Sequence, residues 1–188
     1  MFGDISRFLL EIAFTLLGVA LIARAWMFAV RMHPFHPVVQ ALNQATNWFV
    51  MPLRRLVPKP NGLIDWACIL GAWLVAVVYL VLGWMLATGS LLPVSLLPGA
   101  LGAALLTVAR WTLNLVIWMT LIQAILSWVN PRAPSMALLQ QMTAPILNPL
   151  RRMLPNLGGI DISPLVLLVL AQVGMMMLAR IGYNLFGV

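Results

Sequence analysis

A chain of 188 residues that is 63% hydrophobic and only 8% Asp, Glu, Lys or Arg, with a mean hydropathy of +1.01, cannot wet its own surface, because a soluble domain carries about 25% charged residues. That balance excludes a soluble enzyme, a disordered tail and a disulfide scaffold, and describes a protein whose outer surface faces lipid. The net charge of +7 sets ten arginines and Lys59 against Asp4, Glu11, Asp65 and Asp161; with no polar domain to carry a nucleic-acid face, the expected partners are anionic lipid head groups and not nucleic acid.

Crossing a hydrocarbon core about 30 Å thick takes about 20 apolar residues of helix, and the first such stretch covers residues 8–30. Asp4 balances Arg7 ahead of it and the run is longer than the core of a secretion signal, so it is expected to stay as a span. Arg31-Met32-His33-Pro34-Phe35-His36-Pro37 follows. Its two histidines could face a metal or haem, but Pro34 and Pro37 bend the backbone and no third ligand is near, so no metal and no cofactor are expected. Val38, Val39, Leu42, Ala45, Phe49 and Val50 then recur at helical spacing opposite Gln40, Asn43, Gln44 and Asn47. This predicts an amphipathic helix ending before Pro52. It either lies in the membrane interface or packs on the ends of the spans.

Pro52-Leu53-Arg54-Arg55 and a turn with Pro58 and Gly62 lead to Asp65 and the second span, residues 63–87. Cys68, the only cysteine, rules out a disulfide or a CxxC pair and reads as a small buried or lipid-facing residue. Residues 88–100 carry no charge. The third span, residues 101–128, is the most polar, with Arg110, Asn114 and Gln123. Ionisable residues inside a bilayer are costly and raise the question of function. Glu11 is the one acid placed to neutralise Arg110 within the membrane, and Arg7 is its local alternative. The second linker repeats the first: a shorter amphipathic run over residues 135–144, broken by Pro145 and Pro149, then Arg151-Arg152, Pro155, Gly159 and Asp161. Asp161 or Ser163 is expected to cap the fourth span, residues 165–186, with Pro164 in its first turn. Met175-Met176-Met177 reads as flexible packing.

Sliding the chain by 97 positions aligns Pro34 with Pro131, Leu42 with Leu139, Thr46 with Thr143, Pro58 with Pro155 and Gly62 with Gly159, and lays Pro52-Leu53-Arg54-Arg55 on Pro149-Leu150-Arg151-Arg152. The chain is therefore two tandem copies of span, basic linker, span, over residues 1–90 and 98–188. Each copy crosses the membrane twice, so the copies share an orientation and are expected to be related by an axis along the membrane normal. Arg31, Arg54, Arg55 and Lys59 in one linker, with Arg132, Arg151 and Arg152 in the other, put both linkers in the cytoplasm and both termini on the far side.

Ser127-Trp128-Val129-Asn130-Pro131, followed by Pro149-Leu150-Arg151-Arg152, Pro155, Gly158-Gly159-Ile160-Asp161 and Ser163-Pro164, resembles the signature of the YggT family of bacterial and plastid membrane proteins. The first copy matches in part, with Arg31-Met32-His33-Pro34 in place of the Ser-Trp-Val-Asn-Pro pattern. The resemblance implies an integral inner-membrane protein of one or two such units. It brings no catalytic set, and it links members to cell division and nucleoid organisation, osmotic stress and ion homeostasis, and haem attachment in plastid cytochrome assembly.

The expected fold is all-α: a polytopic membrane protein with four transmembrane helices in two tandem span-linker-span repeats. No nucleotide loop, nucleophile elbow or carboxylate cluster is present, so no enzyme and no catalytic residue are expected. The expected function is a scaffold or assembly factor. Its Arg54, Arg55, Arg151 and Arg152 would engage lipid head groups, partner membrane proteins or a second copy, or pair with the acid that follows each of them. The alternative is a small oligomeric transporter or channel component lined by Arg110, Asn114 and Gln123.

Overall fold

The computed structural model describes residues 2–57, 64–154 and 161–186, and no described residue lies in a strand. Six α-helices follow one another: α1 (Phe2–Ala29), α2 (Pro37–Leu56), α3 (Trp66–Thr88), α4 (Leu97–Val129, entered through a 3₁₀ turn at Val94–Leu96), α5 (Pro134–Met153) and α6 (Ser163–Phe186). Four segments are long and apolar enough to cross a membrane: Asp4–Ala29, Trp66–Thr88, Val94–Val129 and Ser163–Asn184. The chain is thus an all-α, multi-pass membrane protein with the four spans expected. The first begins earlier than residue 8 and the third earlier than residue 101. At about 1.5 Å per residue, the 33 residues of α4 reach about 50 Å, well beyond the hydrocarbon thickness.

Packing divides the chain into two compact units, Met1–Thr112 with Leu178–Val188, and Leu113–Met177. This is a division by contact, whereas the repeat is a division by sequence.

The first unit is built on an α1–α3 hairpin. Ala67, Cys68, Gly71, Ala72, Val75 and Ala76 form the buried stripe of α3, and small residues at this spacing let two membrane helices approach closely. On α1, Leu21 is completely buried. Still tighter is Gly18, where a β-carbon would stand 2.2 Å from Cζ3 of Trp111 on α4. Tyr79 lies beside the same indole, ring centres 6.2 Å apart, and the Phe14 ring is at the same separation from Tyr79.

Both linker helices begin with proline at their first positions, where the missing N–H costs nothing. His36 is the residue before α2, and its Nδ1 accepts a hydrogen bond from Val38 N at 3.3 Å; of the two histidines, it is the one the fold uses, as a helix cap. At the end of α1, Arg31 N bonds Phe28 O and Met32 N bonds Met27 O. That is a Schellman ending with Arg31 in the left-handed region at φ 56°, held by burial of Met27 against Met32's turn.

Two expectations are corrected. The first amphipathic helix does not stop before Pro52, and the second is not broken at Pro145 and Pro149; α2 and α5 run through them to Leu56 and Met153. A proline inside a helix removes one N–H and crowds the carbonyl four residues back. Here all three prolines sit on the exposed side, where a freed carbonyl can be solvated, while the opposite side is held by buried packing. The last turns close regularly, with Val57 N on Leu53 O and Leu154 N on Leu150 O.

The placement of α2 is also decided. Thr46 and Val50 are buried, and the Phe49 ring lies over Gly71 of α3, 3.2 Å from where a β-carbon would stand. One face of α2 therefore packs on the ends of the spans. The other leaves Trp48, Met51 and Leu56 exposed.

Candidate functional site

Where α2 meets α1 and α3, the first unit gathers most of its buried polarity. Arg24 is a charged residue five positions from the end of a membrane span, and it is only 8% exposed. Its Nη1 donates to Thr46 Oγ1 at 2.7 Å. That hydroxyl in turn donates to Leu42 O, one turn back on α2, at 2.8 Å. Eleven residues further along the chain from Arg54 stands Asp65, whose Oδ2 takes Arg54 Nη2 at 2.6 Å. The Cys68 thiol points at the same oxygen from 3.4 Å. The carboxylate side chain is 2% exposed and that of Arg54 is 43% exposed, so this is a one-sidedly buried pair. Asp65 Oδ1 has no hydrogen-bond partner among the described residues, and Asp65 precedes α3 without capping it through its side chain.

The second unit contains a shallower version of the same arrangement. Thr143, the repeat partner of Thr46, is bonded to the side-chain amide of Gln123 on α4 and to Leu139 O at 2.8 Å. Gln123 and Thr143 are both buried. Arg151 Nε meets Asp161 Oδ2 at 2.8 Å, with both side chains about two-fifths exposed. Asp161 Oδ1 accepts Ser163 N at 3.0 Å and so caps α6, as expected from the sequence. Burial alone pushes the Asp161 carboxyl up, but hydrogen bonds from the Ser163 backbone and side chain, together with the Arg151 guanidinium, outweigh it and hold the carboxyl below the usual aspartate range.

A carboxylate whose folded value is lowered contributes stability above its ordinary pKa, about 3.9 for aspartate, and that contribution disappears as pH falls through the folded value. Unfolding of wild type and Asp161→Asn should therefore differ by a constant small amount above about pH 5, and the difference should shrink as pH falls below the ordinary aspartate value of about 3.9. A gap that widened on acidification would contradict this assignment. For the first unit, Thr46→Val keeps the shape but removes the hydroxyl that Arg24 donates to. It should cost about 2 kcal/mol, the scale of a hydrogen bond to a charged group, measured by denaturant titration in micelles.

The remaining sequence candidates fall differently. Arg54 and Arg151 are engaged by the acids that follow them, while Arg55 and Arg152 are exposed and, among the described residues, make no hydrogen bond or ion pair. Glu11 forms no ion pair with Arg110 or Arg7 among the described residues; Arg7 Nη2 donates to Leu86 O near the end of α3 at 3.2 Å. Asn114 is half-buried. Pro164 occupies the first turn of α6 as expected, and Pro155 and Gly159 lie outside the described residues. Arg24 was the residue the sequence reading passed over. Its signal was its position: an arginine inside an apolar run of 28 helical residues.

Two span–linker–span repeats of membrane helices, each with its linker threonine tied to a polar span residue and its linker arginine tied to the acid before the next span, define a class of tandem-repeat polytopic membrane protein. The chain belongs to the CCB3/YggT family, whose model matches residues 4–86 and 102–182, one segment per repeat. It is 37% identical over 164 residues to an uncharacterized protein in the proC 3′ region of Vibrio alginolyticus, covering 86% of each chain. It is 34% identical over 167 residues to the uncharacterized protein YggT of Escherichia coli K12, covering 88% of this chain and 85% of that protein. The uncharacterized protein PA0392 of Pseudomonas aeruginosa is 32% identical over 143 residues, covering 72% and 68%. No solved structure matches.

Proposed function

We propose that this protein is a non-enzymatic scaffold or assembly factor of the bacterial inner membrane, whose two linkers hold partner membrane proteins at an anionic surface. The observation that carries this reading is the division of labour within each arginine pair. Arg54 and Arg151 are paired with the acids that follow them, while Arg55 and Arg152 lie exposed in the last turns of α2 and α5 without a hydrogen bond or ion pair among the described residues. Each is followed by a strongly exposed apolar residue, Leu56 at 86% and Met153 at 81%. Trp48 and Met51 extend the outward face of α2. A face mixing arginine with exposed tryptophan and aliphatic side chains suits the headgroup boundary, where each basic residue contributes about 1 kcal/mol on an anionic leaflet. The excess of arginine in both linkers supports a cytoplasmic position for them and a far-side position for both termini.

The test is photocrosslinking in intact membranes from a probe placed at Met51. Wild type should give discrete adducts with other membrane proteins, and Arg55→Gln with Arg152→Gln should reduce them several-fold while the fold is unchanged. Identical adducts in both would reject the reading. Reporter fusions at the two ends that both proved cytoplasmic would reject the orientation.

A further inference from the structure

Beside the Arg24–Thr46 contact, the first unit contains a cavity of about 230 Å³ lined by Arg24, Arg54, Asp65, Asn43, Met27 and Leu42 among others. At about 30 Å³ per water this is room for some seven waters, enough for a lipid headgroup and too small for a whole lipid. Arg24 spends one N–H on Thr46. Arg24 also lines the cavity. The ionised groups of the lining are two guanidiniums and one carboxylate, a net excess of one positive charge. Arg24 lies about 8 Å from the end of α1, and Met27 and Leu42 are apolar parts of the wall.

We infer that this cavity is a one-to-one site for a monoanionic phosphodiester, the headgroup charge of phosphatidylglycerol. The phosphodiester sits between the Arg24 and Arg54 guanidiniums and brings the lining to neutrality. Guanidinium–phosphate contacts of this kind are short, directional and strong. A zwitterionic choline headgroup leaves the positive excess uncancelled. The site is separate from the surface contact of Arg55 and Arg152, and the two can fail independently.

The full chain, purified in detergent, is tested by native mass spectrometry with phosphatidylglycerol, phosphatidylcholine or inorganic phosphate. Wild type should retain one phosphatidylglycerol, release phosphatidylcholine, and keep its lipid in millimolar phosphate. Arg24→Gln should weaken retention about tenfold, the loss of one charge-assisted contact. Val39→Trp, which fills the cavity and changes no charge, should weaken it comparably and decides the matter if Arg24→Gln does not fold. Arg55→Gln with Arg152→Gln should leave the bound lipid in place. Equal retention of phosphatidylcholine, retention insensitive to Val39→Trp, or phosphate occupying the site in place of lipid would each overturn the proposal.

Discussion

Gly18→Ala should be among the most damaging single-methyl changes in the chain. The added carbon would stand 2.2, 2.3 and 2.9 Å from three ring atoms of Trp111, distances no carbon pair tolerates. Trp111 is itself 5% exposed and backed by Tyr79, so its rigid bicycle cannot swing clear as the tip of a long aliphatic side chain could. Overpacking of this kind costs about 1–3 kcal/mol, and the upper end applies where the obstacle is a buried aromatic ring. The measurement is reversible unfolding in mixed micelles. Trp111→Phe removes one of the two rings, so Gly18→Ala combined with Trp111→Phe should be more stable than the sum of the two single changes implies. Strict additivity would mean that the two residues do not meet as described. In a bilayer the loss registers as broken dispersion contacts and not as water exposure, because lipid tails are as apolar as the core they would replace.

The second large effect is an asymmetry between the copies. Arg54→Gln should cost about 3 kcal/mol, because it strands a carboxylate that is 2% exposed and already has one unpartnered oxygen, the situation in which removing one partner of a buried pair is most expensive. Arg151→Gln, at the equivalent position of the second copy, should cost less than about 1 kcal/mol, since Asp161 is two-fifths exposed, keeps its bond to Ser163 N and can be rehydrated. Both variants are read by the same unfolding titration. Equal costs would show that burial of Asp65 does not control the energetics. Converting Asp65 to Asn together with Arg54→Gln should recover most of the loss, because a neutral amide leaves no buried charge behind.

The two arginine pairs also show what a repeated motif does and does not say. Pro-Leu-Arg-Arg recurs identically, which is enough to infer a common local structure. The sequence offered headgroup binding and pairing with the following acid as compatible uses of all four arginines. In the structure the first arginine of each pair meets the acid that follows it and the second makes no hydrogen bond or ion pair among the described residues, since successive residues on a helix point about 100° apart. Helical phase alone could have separated Arg54 from Arg55; which of the two met an acid depended on where α3 and α6 begin.

Much of the architecture was legible because it depends on sums over neighbouring residues. Twenty or more apolar residues in a row specify a span whatever they pack against, and alternation at helical spacing specifies the two faces of α2. The register of 97 positions specified the repeat and already paired Thr46 with Thr143, though not what bonds to either. Proline was read too strongly, as a helix terminator at positions 52, 145 and 149; a helix whose other side is clamped by packing continues through it. The placement of α2 on the span ends, the Arg24–Thr46 bond, the Gly18–Trp111 contact and the separation of Glu11 from Arg110 came from the tertiary structure alone. Hydropathy and periodicity give each helix its environment along one axis, whereas contacts between helices depend on rotation and crossing geometry, which small residues such as Gly18 and Gly71 set by how close they let two backbones come.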